Sequence, residues 1–186
     1  MASKNLTELI AQADERGLAA SGLACLDRCL PLLGSEDDTL RPLWAGLVGG
    51  EEDWSGRLAA ARQSMEDADA RDESAALVRR MLGAAPSEWN AAPLREWADD
   101  CSVAALEVHR RFDVGSCEPE TLERCRKGDA EGAGPLVSGE LRRQIQILEI
   151  LTEPQPGTGL RQALELSTEG RRVLRAAVSR RARVTG

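Results

Sequence analysis

Residues 92–113, APLREWADDCSVAALEVHRRFD, form the longest uninterrupted helical pattern in the chain. At 100° per residue, Leu94 and Phe112 fall on one line of a helical wheel, and the remaining apolar members of the stripe lie within 60° of it. These members are Trp97, Ala98, Cys101, Ala105 and Val108. A stripe about one third of the circumference wide predicts a helix with one face buried in a core.

The ends of this helix are also marked in the sequence. Asn90 is a suitable N-cap, and Pro93 fits a first turn, where a backbone N–H has no partner within the helix. Gly115 can adopt the left-handed conformation that ends a helix. On the same wheel His109, the only histidine, lies at the edge of the apolar stripe rather than at its centre.

The composition predicts an all-α protein. Hydrophobic residues make up 42% of the 186 residues, but there is no Tyr and only one Phe, and β-branched residues, which strands prefer, are sparse. We expect one compact domain over residues 1–186, with seven to nine helices in which hairpins can stack. An arginine-rich C-terminal helix, at about residues 158–184, either packs on this domain or extends from it.

The sequence has no apolar run of signal-peptide or membrane-spanning length, so we expect a cytoplasmic protein. The abundance of arginine, alanine and glycine suggests a bacterial source with a GC-rich genome. An odd number of cysteines in a chain of this length favours reduced thiols over a disulfide framework. Their spacing lacks the close pairs of zinc sites, so we expect no metal and no cofactor. The five cysteines are Cys25, Cys29, Cys101, Cys117 and Cys125.

His109 and Asp113 are the first candidates for chemistry. Residues four apart face each other on a helix, so the carboxylate could orient the imidazole of a general base. With Cys101 as a candidate nucleophile, these residues are the catalytic candidates. The alternative is a half-exposed histidine in a local ion pair. If the protein binds a small molecule, we expect a pocket lined by Trp89, Trp97, Cys101, His109 and Asp113.

Charge is segregated along the chain. Residues 161–186 have a net charge of +5, which leaves −12 on the rest because the whole chain carries −7. Arg171, Arg172 and Arg175 are therefore candidates for contact with nucleic acid phosphates. The alternative is that the basic helix lies against the acidic body or reaches an acidic partner. Cations also suit the C-terminal end of a helix.

Residues 166–174, LSTEGRRVL, resemble the segment that enters the last helix of MarR-type winged-helix regulators. The resemblance covers these nine residues, and neither a strand pair nor a recognition helix is predicted before them. We interpret the shared pattern as capping chemistry, with Ser167 beginning a new helix.

These features favour a non-enzymatic interaction or regulatory protein that binds another protein through a helical face or groove. The sequence contains no complete catalytic or cofactor motif, and an acidic body would speed the encounter with a basic partner. A small helical enzyme or ligand-binding protein, with its pocket near His109 and Asp113, is the first alternative. Nucleic acid contact through the C-terminal helix is the second. The oligomeric state stays open.

Overall fold

The computed structural model describes residues 4–35, 37–66, 72–115, 117–152 and 156–186. Within these ranges the chain forms α-helices and one 3₁₀ turn, without strands, so the all-α prediction is confirmed. The helices are α1 (Leu6–Gln12), α2 (Glu15–Cys29), α3 (Arg41–Gly49), α4 (Glu51–Ser64), α5 (Glu73–Gly83), α6 (Ala91–Phe112), α7 (Pro119–Arg126), α8 (Pro135–Leu151) and α9 (Pro156–Thr185), with the 3₁₀ turn at Leu30–Leu33.

Helix α2 lies at the centre of the molecule. Every side chain from Gly17 to Cys29 is buried, because α6, α8 and α9 pack around it. A helix that is enclosed on all sides cannot keep one polar face, so its charged residues, Asp27 and Arg28, must find partners inside the protein. Consecutive helices also pack as pairs, α3 on α4 and α8 on α9.

Helix α6 buries the predicted stripe, including Leu94, Ala98, Ala105 and Val108. Asn90 caps its first turn by accepting a hydrogen bond from the Ala92 N–H. Phe112, at the far end of the stripe, is only partly buried, and the Arg181 guanidinium lies 5.6 Å from its ring centroid. The stripe therefore leaves the core in its last turn.

Helix α9 is continuous through the segment where we expected a break. Ser167 is buried in mid-helix, and its hydroxyl donates to the Ala163 carbonyl at 2.9 Å instead of capping a new helix. The interpretation of residues 166–174 as a capping segment is therefore wrong. A hydroxyl that bonds back to the preceding turn is compatible with helical geometry, so the Ser-Thr pair does not end the helix.

Asp113 caps α8 from outside that helix. The N-cap residue of α8, Gly134, has no side chain, and Asp113 accepts hydrogen bonds from the Leu136 N–H at 3.2 Å and the Val137 N–H at 3.1 Å. A Cβ atom on Gly134 would lie 2.2 Å from the Asp113 carboxylate, so only glycine permits this approach. The negative charge also suits the positive end of the helix dipole.

Replacing Asp113 with alanine should therefore destabilise the protein by about 0.5–2 kcal/mol, the usual loss when a helix cap is removed. Asp113→Asn keeps one acceptor oxygen and should lose less. Urea unfolding of the three proteins at neutral pH tests this order. Equal stability of the alanine variant and the unaltered protein would contradict a capping role.

None of the helices in the described ranges is long and apolar enough to cross a membrane. The sequence also predicts a charged patch over residues 66–73 and a turn over residues 154–157, and of these, residues 67–71 and 154–155 lie outside the described residues.

Candidate functional site

His109 lies in the core, not at the edge of the apolar stripe. Its exposed fraction is 0%, and its Nδ1 atom is 2.7 Å from the Ala105 carbonyl oxygen. Its Nε2 atom is 3.5 Å from Oε2 of Glu140 on α8. Because Asp113 is engaged by the first turn of α8, the predicted pair between His109 and Asp113 is not the one formed. A half-exposed histidine is equally ruled out by its burial.

Glu140 forms a fully buried ion pair with Arg28. The Arg28 Nε–H donates to Oε2 at 2.7 Å and an Nη2–H donates to Oε1 at 2.6 Å, so the contact is bidentate. Both side chains have an exposed fraction of 0%. Arg28 comes from α2, Glu140 from α8 and His109 from α6, and the Ser167 hydroxyl of α9 lies 3.5 Å from Arg28 Nη1. One charged cluster therefore connects the four central helices.

A line of buried polar groups runs from this cluster to the surface. Gln144 donates to Glu140 at 2.8 Å and accepts from the Ser102 hydroxyl at 2.6 Å. The Arg126 Nε–H donates to the same hydroxyl at 3.2 Å, and Arg126 ends in an ion pair with the half-exposed Asp99. Each side chain in this line thus provides a hydrogen-bond partner for the next, as buried polar groups require.

The charge states of the cluster follow from burial and pairing. Burial opposes ionisation of Glu140, but the Arg28 guanidinium on both oxygens outweighs it and holds the pKa of Glu140 below its usual range. Burial lowers the pKa of His109, so its imidazole is neutral at pH 7 and its Nδ1–H donates to Ala105. The Nε2 atom is then a buried acceptor that has no hydrogen-bond donor among the described residues.

This arrangement predicts a loss of stability on acidification. Since folding lowers the pKa of His109 below 6.5, the unfolded chain takes up this proton first, and the free energy of unfolding falls as the pH drops below about 6.5. Between pH 6.5 and pH 5 one proton contributes at most about 2 kcal/mol. In urea unfolding from pH 8 to pH 5, the unaltered protein should become less stable relative to His109→Gln by up to about this amount.

Protonation of Asp27 changes stability in the opposite direction to protonation of His109. Its contribution cancels when the unaltered protein is compared with His109→Gln. Burial raises the pKa of Asp27 to about 6, so its proton stabilises the folded state as the pH falls below that value. Asp27 is present in both proteins, and the difference between their pH profiles therefore isolates His109. Parallel profiles would show that His109 does not titrate on unfolding in this range.

Burial keeps the thiols of Cys25 and Cys101 protonated. All five cysteines are free and buried. Burial raises the pKa of Cys25 to about 12 and raises the pKa of Cys101 well above its ordinary value. A thiol that stays protonated at neutral pH is a weak nucleophile, so Cys101 occupies a poor environment for the catalytic role considered for it.

The tryptophans belong to the core packing. Trp97 and Trp89 both contact Trp54 edge to face, with ring centroids 6.0 and 5.7 Å away respectively, and the Trp97 N–H donates to the Met81 carbonyl at 2.8 Å. Twelve residues separate Trp97 from His109 along one straight helix, which is about 18 Å. The structure therefore does not bring the five predicted residues into one small pocket.

The arginines singled out in α9 have different environments. Arg171 is buried and donates to Asp27 at 3.0 Å and to the Asp37 carbonyl. Arg175 is half-exposed and pairs with the Asp37 carboxylate. Arg172 is exposed. Arg171 and Arg175 thus hold α9 against the acidic body. This packing is the alternative to nucleic acid contact that the charge pattern of the sequence predicted.

The outer face of α4 differs from the charged surface around it. Over the ten positions from Ser55 to Ser64, every exposed residue is small or uncharged. These residues are Ser55, Gly56, Ala59, Ala60, Gln63 and Ser64. The two arginines of this stretch are held to either side. Arg57 donates to the Pro42 carbonyl at 3.0 Å, and Arg62 donates to the Gly83 carbonyl at 2.8 Å. Both guanidinium groups therefore bond to backbone carbonyls of neighbouring segments.

A largely apolar groove of about 600 Å³ borders the C-terminal part of the same helix. It lies between α4, the start of α3 and the 3₁₀ turn, and apolar side chains contribute much of its lining. These are Leu33, Pro42, Ala60, Ala61 and Met65. We call the α4 face and this groove together the α4 surface. The one mark of this surface in the sequence is the number of small residues between Ser55 and Ser64.

Comparison with known proteins finds no matching family, no matching characterised protein and no matching solved structure. Among the described residues no group of three His, Cys, Asp or Glu side chains could hold a metal ion.

Proposed function

We propose that this protein is a non-enzymatic binding module that docks a helix of another protein on its α4 surface. The observation that supports this is the uncharged outer face from Ser55 to Ser64 beside an apolar groove. Small side chains let two helices approach closely, and a groove of this size accepts one or two apolar anchors from an amphipathic helix. Burial of such anchors would supply most of the affinity.

The charges around the α4 surface favour a helix with basic residues near its ends. Glu51 and Glu52 are exposed at one end of α4, and Glu66 is exposed just past the other. Opposite charges across the rim of an interface speed association and fix its register. The partner that fits is therefore amphipathic, with apolar residues at its centre and Lys or Arg at its flanks.

The enzyme alternative has less support. It relied on His109 beside Asp113 in a pocket, whereas His109 is enclosed and Asp113 caps α8. A general base must reach the proton that it removes, and a side chain with an exposed fraction of 0% offers no such access.

Site-specific photo-crosslinking in the source organism tests the proposal. A photoreactive residue at Ala59 should give a discrete adduct with one protein, whereas the same residue at Ala11, which is exposed on α1, should not. Adding Ala60→Glu should abolish the Ala59 adduct by placing a charge in the groove. Thermal unfolding verifies that the variants remain folded. Equal labelling from the two positions, or an adduct that survives Ala60→Glu, would refute docking at this surface.

A further inference from the structure

The C-terminal half of α9 contains no acidic residue. From Gly170 to Gly186 there are six arginines and neither Asp nor Glu. Three of the six are engaged within the protein: Arg171 with Asp27, Arg175 with Asp37, and Arg181 with the Arg111 carbonyl and the Phe112 ring. These contacts hold one side of the helix to the body and leave its other side to solvent.

The other three arginines, Arg172, Arg180 and Arg183, are exposed. None of them forms an ion pair with an acidic side chain in the described ranges, and Arg183 donates to the Ser179 carbonyl at 3.3 Å. On a helical wheel they lie within about 80° of one another, and eleven residues, about 16 Å, separate the first from the last. Exposed Ala176 and Ser179 lie between them. We call this the arginine strip.

We propose that the arginine strip is a second interaction surface, which binds an acidic helical segment of another protein. Small residues at its centre allow a helix to approach closely, while the guanidinium groups at its two ends reach carboxylates on that helix. The length of the strip matches about three helical turns. Elsewhere on α9 the same chemistry already operates within the chain, where Arg171 and Arg175 hold the aspartates of the body.

Nucleic acid fits this surface less well than an acidic helix. Glu165 and Glu169 lie on the same exposed side of α9, one to two turns before Arg172. A duplex that followed the strip would extend over these carboxylates and towards the acidic body. No aromatic side chain is present in the strip to stack on a base. An acidic helical segment of about three turns covers only the arginine strip and does not extend over Glu165 and the acidic body.

Fluorescence anisotropy with the full-length protein tests the proposal. The probes are a labelled Glu/Ala helical peptide of about three turns, the same peptide with Gln in place of Glu, and a DNA duplex of mixed sequence. We expect binding of the Glu peptide at low salt, weakened at least about tenfold by about 200 mM salt. The Gln peptide should not bind, and the duplex should bind less tightly than the Glu peptide.

Matched charge reversals locate the contact. Arg172→Glu, Arg180→Glu and Arg183→Glu together should abolish binding of the Glu peptide. The same three reversals at exposed Arg79, Arg80 and Arg142, which change the net charge equally, should weaken it less than about threefold if the effect is local. If circular dichroism shows that the first triple variant does not fold, the three arginines are replaced with glutamine instead of glutamate.

Ala60→Glu should leave binding of the Glu peptide intact, which separates the strip from the α4 surface. Absent peptide binding, equal losses in both triple variants, or tighter binding of DNA would overturn the proposal.

Discussion

Replacing Glu140 with leucine is expected to lower the free energy of unfolding by about 3–5 kcal/mol, the loss typical when one member of a buried ion pair is removed. Arg28 would be left without a carboxylate partner at an exposed fraction of 0%, because its other hydrogen bonds among the described residues go to the Ser167 hydroxyl and to Cys25 Sγ. The free energy released by forming the pair matters less than the penalty of leaving the guanidinium unpaired inside the protein.

The double variant Arg28→Met with Glu140→Leu separates these two effects. Because it removes both charges and keeps similar side-chain volume, it should recover most of the loss, and such replacements are often neutral or stabilising. Asp38→Ala, which breaks the exposed pair between Arg41 and Asp38, should change stability by less than about 1 kcal/mol. Urea unfolding of the full cycle at pH 8 gives the coupling energy. Additive single-variant effects would contradict a direct, buried interaction.

The elements that the sequence predicted well are those defined by local periodicity and capping. The stripe of α6 from Leu94 to Val108 is buried as expected, and Asn90 caps that helix. Gly115 adopts a positive φ of 94° just after the helix ends. Each of these features depends on residues within a few turns of one another, where helical geometry alone determines which side chains are neighbours.

The central ion pair could not be predicted in this way. Arg28 and Glu140 are 112 positions apart, and their contact depends on how α2 and α8 pack. One signal was present: Asp27-Arg28 lies inside the apolar segment LACLDRCLPLL, and a helix buried on all sides must pair its charges. That argument indicates that partners exist but does not identify them.

The predicted partner of Asp113 was wrong because a helical wheel does not apply beyond the end of a helix. The wheel places it one turn from His109, but the helix ends there, and the backbone at Asp113 is extended. The unpaired N–H groups of the first turn of α8 then compete for the carboxylate and take it. The four-residue spacing predicted the wrong partner for Asp113, because the end of α6 lies beside the beginning of α8 in the folded protein.

Gly170→Ala should strongly destabilise the protein, although alanine is the better helix former. A Cβ atom at this position would lie 2.3 Å from Cδ of Arg28 and 2.9 Å from its Cγ. The Arg28 side chain cannot yield freely, because both ends of its guanidinium are held by Glu140. We expect a loss of about 1–3 kcal/mol from overpacking, rising towards the 3–5 kcal/mol of a broken buried pair if the guanidinium is displaced.

Gly56→Ala is the matched control, since Gly56 is also within a helix and a Cβ atom there meets nothing within 4 Å. This substitution should stabilise the protein by up to about 1 kcal/mol, the helix propensity difference between the two residues. In the background of Arg28→Met and Glu140→Leu, where an uncharged side chain is free to move aside, the loss from Gly170→Ala should shrink. Urea unfolding measures all five proteins: the unaltered protein, the two single glycine variants, the double variant, and the double variant with Gly170→Ala. If Gly170→Ala were equally harmful in both backgrounds, the buried ion pair would not be what requires glycine here, and the clash would lie with the Arg143 side chain, whose Cδ is 3.2 Å from the added Cβ position.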